Sequence, residues 1–361
     1  MLKIINPCSL LVFIIFFLFS CTSSKKTILP KNASRKAFTF YYQALDDIEI
    51  GEFNAALSDL DSAIYYQPNY SNFYFVKGRV FEFLQKPDSS IKSYEHAVEL
   101  KSYYPEAWDR LGNLYLFESD YANAAVNFKK IIQNNPDSLN CYLKLGQCYF
   151  RLKKYRLALD RLREYQQLSK EPSIELKKWQ GFANYGLGDF QRAANLLESY
   201  LSNNSNDTEA LKYLGFTKFN MKEYDQAITA LNKASNTNNM DPEIYLYRAR
   251  YFLIQGKKKD AFDQLRVGLT YDSLNTDLLF EIGKIYYQEK QIEKSKGYLN
   301  RTIEINPNYW RAYRYLGFIA EQENRLEEAL SNYKLFMENT LAEDTEVSQR
   351  IANIQKALMN K

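Results

Sequence analysis

The chain has 361 residues, 46% of them hydrophobic and 25% charged, a balance that excludes an intrinsically disordered chain and a multi-span membrane protein. The formal net charge of +4 is unevenly placed: Lys3, Lys25, Lys26, Lys31, Arg35 and Lys36 fall in the first 36 residues, and removing these six bases from 47 leaves 41 against 43 acids. The remainder therefore lacks the basic surplus of a nucleic-acid binder, and a nucleic-acid partner is excluded.

Residues 1–20 have the parts of a secretory signal peptide: Lys3, an unbroken apolar run from Leu10 to Phe19, and the small Ser20. The run is too short to span a bilayer, which takes about 20 apolar residues, and Asn6 and Pro7 interrupt its extension towards the amino terminus. The stretch Leu18-Phe19-Ser20-Cys21 after such a run resembles the lipobox of bacterial lipoproteins. The resemblance implies cleavage before Cys21, lipid on its sulfur and new amine, and stable anchoring by several acyl chains. An uncleaved short anchor is the alternative, and both readings place the rest of the chain outside the cytoplasm. Thr22 stands where an Asp would imply inner-membrane retention, and no acidic cluster follows. Within the resemblance, these point to the outer membrane and a periplasm-facing position. Residues 21–36 then form the lipidated cysteine and a flexible basic spacer whose lysines can touch anionic head groups.

From residue 37 onward a 34-residue period organises the chain. Numbering the stretch from Pro105 as position 1 places Trp108 at 4, Leu111 and Gly112 at 7 and 8, Tyr115 at 11, Tyr121 at 17, Ala124 at 20, Phe128 at 24 and Pro136 at 32. Position 8 recurs as Ala44, Gly78, Gly112, Gly146, Gly181, Gly215, Ala249, Gly283 and Gly317, with one step of 35 residues. Position 20 is always Ala or Ser, as in Ala56, Ser90 and Ala227, and position 24 is always large, as in Leu60, Tyr94 and Tyr333. Small residues at 8 and 20 suit two helices that cross closely, and the large residue at 24 suits the space between stacked hairpins. Gly51, Gly188 and Gly256 at position 15 suit a turn with positive φ. This pattern resembles the tetratricopeptide repeat, a pair of antiparallel helices. The resemblance implies an all-α α-solenoid of about nine hairpins over residues 37–342. Residues 343–361 follow as a capping helix, with Val347, Ile351, Ile354 and Leu358 on one face.

Few residues suggest chemistry. His96 is the single histidine and reads as a solvated surface residue, so neither a zinc site nor a catalytic dyad is expected. Cys141 and Cys148, seven apart on one predicted helix, lie about 10 Å apart by helical rise and read as small buried hydrophobes. Gly186 and Gly188 imitate the start of a dinucleotide loop, but Gln191 replaces the third glycine and no strand precedes them, so they read as a helix-hairpin turn. No catalytic residue, cofactor or metal is expected, and the chain does not read as an enzyme.

In the repeat family the first helix of each hairpin lines a concave groove through positions 2, 5, 9, 12 and 13. Carried onto this chain, positions 5 and 9 of the carboxy-terminal half supply Lys178, Phe182, Lys212, Phe216, Arg250, Phe280, Lys284, Arg314 and Phe318. Exposed aromatics among cations suit an acidic and apolar peptide. The expected function is a membrane-anchored adaptor that binds a protein or peptide in this groove. Two rivals are a glycan-binding uptake lipoprotein, which needs long insertions between repeats, and an envelope spacer with no dedicated ligand.

Overall fold

The computed structural model describes residues 34–359 apart from residues 172, 238, 239 and 341–343. The expected signal peptide, Cys21 and most of the expected basic spacer lie outside the described residues. Among those described, every regular element is an α-helix, and nineteen helices follow in chain order as nine hairpins and one terminal helix, the element order of an α-solenoid.

The chain divides into two compact units, residues 1–114 and 115–361. The first holds α1 (Arg35–Ile50), α2 (Phe53–Tyr66), α3 (Ser71–Phe83), α4 (Pro87–Leu100) and most of α5 (Pro105–Phe117). The second continues through α6 (Tyr121–Asn134), α7 (Leu139–Arg151), α8 (Tyr155–Leu168), α9 (Ile174–Leu187), α10 (Phe190–Leu201), α11 (Thr208–Asn220), α12 (Tyr224–Thr237), α13 (Pro242–Ile254), α14 (Lys258–Tyr271), α15 (Thr276–Gln288), α16 (Ile292–Ile305), α17 (Trp310–Gln322), α18 (Leu326–Asn339) and α19 (Thr345–Met359). Helix α1 starts two residues earlier than the repeat frame suggests, because the Ser34 hydroxyl accepts from the Ala37 N–H and caps it. Arg35 and Lys36 therefore belong to the first hairpin and not to the spacer; the Lys36 ammonium sits 4.4 Å from the centre of the Tyr66 ring.

All nine hairpins turn in the same way. Position 15 adopts a left-handed φ at Gly51, Gly188 and Gly256, and equally at Gln85, Ser119, Lys153, Lys222, Lys290 and Asn324. The next N–H reaches back to the carbonyl at position 11, as from Glu52 to Asp47 and from Lys154 to Tyr149, each at 2.8 Å, which closes the first helix as a Schellman motif. The left-handed conformation costs a non-glycine residue about 1–2 kcal/mol, and within each unit the packing of the two helices outweighs it at Gln85, Lys153, Lys222, Lys290 and Asn324.

That packing centres on position 8. A Cβ on Gly78 would lie 2.7 Å from the Tyr94 ring, on Gly215 2.6 Å from Leu231, and on Gly317 2.4 Å from the Tyr333 ring. The large residue at position 24 thus rests on the small residue of its own hairpin, besides filling space between hairpins. Where position 20 is serine its hydroxyl is satisfied across the same interface: Ser90 donates to the Gly78 carbonyl and Ser295 to the Gly283 carbonyl, both at 2.8 Å. At the carboxy-terminal end, Val347 and Ile354 of α19 are buried, with Ile351 and Leu358 packed beside them against Tyr333 and Phe336. This covers the last hairpin as the amphipathic pattern predicts.

The close approach yields a graded expectation. In Gly283→Ala the new methyl meets Leu299, whose branched end can turn aside, and the helix gains about 1 kcal/mol of propensity. Its urea midpoint should stay near that of the unaltered chain. In Gly317→Ala the methyl meets a phenol ring whose hydroxyl is held by Glu321 at 2.7 Å, and a loss of about 1–3 kcal/mol is expected. Equal midpoints for the two variants would show that the Tyr333 ring moves freely.

Candidate functional site

In the second unit the first helices of successive hairpins, α9, α11, α13, α15 and α17, carry the predicted groove residues; α7 precedes them and α19 follows. The structure does not leave the aromatic members exposed: Phe182, Phe216, Phe280 and Phe318 are all buried. Each is packed against the next repeat or roofed by a cation. Phe182 lies 4.4 Å from Tyr213 and Phe216 stacks 4.1 Å from Tyr247. Arg311 and Lys284 lie 4.8 Å and 5.9 Å from the Phe280 centroid, and Arg314 and Arg350 lie 5.0 Å and 4.9 Å from that of Phe318.

The predicted cations are engaged inside the chain, in a recurring pattern. Lys178, Lys212 and Arg314 all stand at position 5, and each reaches the aspartate that caps the next first helix. Lys178 bonds Asp207 at 2.9 Å, Lys212 bonds Asp241 at 2.8 Å, and Arg314 pairs with Asp344 at 3.1 Å. The second carboxylate oxygen of each aspartate accepts a helix N–H, from Ala210 at 2.9 Å, Glu243 at 3.0 Å and Val347 at 3.0 Å. Where position 5 is aromatic, as Phe280, the next cap is Tyr309 at 5.2 Å; where it is Leu246, the cap is Asn275.

Position 9 makes a parallel series with position 6 of the next repeat. Phe182 meets Tyr213 and Phe216 meets Tyr247, whereas Arg250 meets Glu281 at 3.2 Å. Glu281 is only 2% exposed and is also bonded by Lys284. Burial pushes its carboxyl up, but Lys284 and Arg250 more than offset this and hold it below the usual carboxylate range. For Asp207, burial likewise raises, while the Ala210 N–H and Lys178 lower it further. Lys212 keeps its charge because Asp241 outweighs its desolvation.

Contacts that skip a repeat close the middle of this face. Arg151 of α7 pairs with Glu209 of α11 at 2.7 Å, and the Tyr185 and Tyr247 hydroxyls of α9 and α13 meet at 3.3 Å. Open space appears at the carboxy-terminal end instead, in a cavity of about 480 Å³ between α15, α17 and the start of α19. Its lining includes Lys284, Trp310, Arg311, Arg314 and Asp344. Arg311 and Glu281 were not singled out from sequence. For Arg311 the available signal was position 2, which is acidic in Glu175, Glu209, Glu243 and Asp277 and basic in Arg311; for Glu281 it was a lone acid at position 6 after Arg250 at the preceding position 9.

Elsewhere, His96 lies on the surface with its Nδ1 3.1 Å from Glu99. Cys141 and Cys148 are buried, and burial pushes the Cys148 thiol up to about 12. Gly188 ends α9 with φ 80°, while Gly186 lies within α9 against the Tyr155 ring. Among the described residues, no three His, Cys, Asp or Glu side chains are grouped to hold a metal ion.

Tetratricopeptide-repeat models match residues 71–104, 110–171, 185–251 and 276–309, together more than half of the chain, and the chain belongs to the tetratricopeptide-repeat family. Human tetratricopeptide repeat protein 21A is 35% identical over 54 residues, 15% of this chain and 4% of its own length. Anaphase-promoting complex subunit 3 of Schizosaccharomyces pombe is 27% identical over 109 residues, 30% of this chain and 16% of its own. The chain therefore spans a small part of these relatives. Among solved structures, a tetratricopeptide repeat protein from Parabacteroides merdae aligns with a TM-score of 0.52 at 15% identity, covering 75% of this chain and all of that one. Cut9–Hcn1, a hetero-tetramer of the anaphase-promoting complex, aligns with a TM-score of 0.55 at 12% identity, covering 90% and 78%. These likenesses establish the fold.

The ion-pair series predicts a pH signature. Asp207→Asn keeps a capping oxygen but removes the charge that Lys178 answers, so it should destabilise the chain by about 1–3 kcal/mol at pH 7. Because the folded carboxyl titrates below its ordinary range, its contribution is present at neutral pH and is lost as pH falls through the folded value. Urea midpoints of the variant and the unaltered chain should therefore converge as pH falls below about 4. A gap that stays constant with pH would refute this role for the carboxylate.

Proposed function

We propose that this chain is a lipid-anchored scaffold of the bacterial cell envelope that holds a protein partner on the inner face of its second unit. Family and fold point to a protein-interaction scaffold. The observation that carries the reading is the cavity at the end of that face, lined by aromatic rings and cations where the rest of the face is closed by its own side chains. Arginine and aromatic groups supply most of the energy in protein interfaces. The fold it shares with Cut9–Hcn1 is one that enters a protein assembly.

The anchor rests on Leu18-Phe19-Ser20-Cys21 after the apolar run, with lipid on Cys21 and a location at the outer membrane facing the periplasm. A glycan-binding reading finds less support, because a single extra residue interrupts the 34-residue frame and leaves no long insertion to build a sugar site.

Two measurements test the proposal. Cys21→Ala should release the protein from the membrane fraction while its helical circular dichroism stays unchanged; retention on the membrane would overturn the lipid anchor. Cross-linking in cells, followed by purification of the unaltered protein, should enrich a specific protein. If nothing is enriched over a control lipoprotein, the scaffold reading falls.

A further inference from the structure

Arg311 breaks two rules that the rest of the inner face obeys. It occupies position 2, where the four preceding repeats carry Glu175, Glu209, Glu243 and Asp277. The other cations of this face are matched: Arg151 with Glu209, Lys178 with Asp207, Lys212 with Asp241, Arg250 and Lys284 with Glu281, and Arg314 with Asp344. Among the described residues no carboxylate lies within ion-pair distance of Arg311, although its charge adds to those of Lys284 and Arg250 in favouring the Glu281 carboxylate; its guanidinium lies over the Phe280 ring at 4.8 Å and lines the cavity. Its own repeat partner is absent for a local reason. Position 5 of the preceding repeat is Phe280, whose match is the tyrosine cap Tyr309, so no second charge is built there.

We propose that this cavity binds an acidic side chain of a protein partner, with the Asp or Glu carboxylate forked on Arg311 and its apolar stem against Trp310. The charge count selects the class of anion. Counted with the groups that pair with it, the lining carries four cations, Arg250, Lys284, Arg311 and Arg314, against three carboxylates, Glu281, Asp344 and Glu346, which leaves one positive charge for a monoanion. A phosphate dianion would bring a second negative charge up to Asp344 and Glu346. The stacked guanidinium has its fork preoriented by the ring beneath it, which suits a planar carboxylate better than an ammonium would. This inference rests on the scaffold reading and names the chemistry its partner must offer.

The test uses the full-length chain and a random dodecapeptide library displayed on phage. Enriched peptides should share an Asp or Glu. A synthetic copy, acetylated and amidated at its ends, should lose at least tenfold in affinity when that residue becomes Asn or Gln. Arg311→Ala should cause a loss of similar size and abolish the effect of the peptide change, with Arg311→Lys intermediate. Thermal melts of both variants should match that of the unaltered chain. Selected peptides without an acid, unchanged affinity in Arg311→Ala, or displacement by inorganic phosphate at submillimolar concentration would each overturn the assignment. The two readings fail separately: if acidic peptides bind through Arg311 but no protein is captured in cells, the scaffold reading falls and the pocket stands. If a captured protein is unaffected by Arg311→Ala, the pocket falls and the scaffold stands.

Discussion

Close contact at position 8 is the constraint from which the structure follows. When two helices approach until one backbone meets the side chain of the other, only hydrogen or methyl fits at the crossing, and the residue opposite must be large enough to fill what remains. The Gly78–Tyr94, Gly215–Leu231 and Gly317–Tyr333 contacts are the same solution with different second members. Once the hairpin is formed in this way, its length and its Schellman turn are set, and the next hairpin meets a surface of known shape. The tolerance of lysine, glutamine and asparagine in left-handed turns follows from this order of strengths.

The contacts between hairpins are chosen differently. Within a hairpin one solution repeats; between hairpins at least two alternate. A cation at position 5 goes with an aspartate cap, and an aromatic ring there goes with a tyrosine cap. At position 9, Phe182 and Phe216 go with tyrosine at the next position 6, and Arg250 goes with a buried glutamate. A buried charge is costly without its partner, and the Glu281 carboxylate is held by Lys284 and Arg250, with Arg311 adding to their field. The recurrence of these pairs makes most polar groups of the inner face structural, and it leaves Arg311 as the cation with no carboxylate at ion-pair distance among the described residues.

Much of the fold was legible in the sequence because its determinants are steric and periodic. The small residues at positions 8 and 20, the bulky residue at 24 and the face of α19 could be read without knowing any neighbour. The site was less legible because exposure is a property of pairs. Phe182 and Phe216 on an inward-facing position look like ligand contacts until Tyr213 and Tyr247 cover them. Lys178 and Lys212 look free until the helix caps 29 residues later are seen to be aspartates aimed at them. The information is present as a matched substitution between repeats, which the small and large positions do not carry. The start of the first hairpin was missed for a smaller reason: Ser34 supplies a cap outside the repeat frame.

The paired positions also give the array a reading order. Removing the hairpin of α13 and α14 would preserve every small and large position, yet it would set Phe216 against Glu281, a ring against a carboxylate stripped of Arg250. The same removal would bring α15 beside α11 and give Lys212 the asparagine cap Asn275 in place of Asp241. Hairpins of this chain are therefore alike in form but not interchangeable in sequence. A duplication or deletion of one of them would be marked at its seams by mismatched charge, so the number and succession of modules are protected by electrostatics although their shape alone would permit any arrangement.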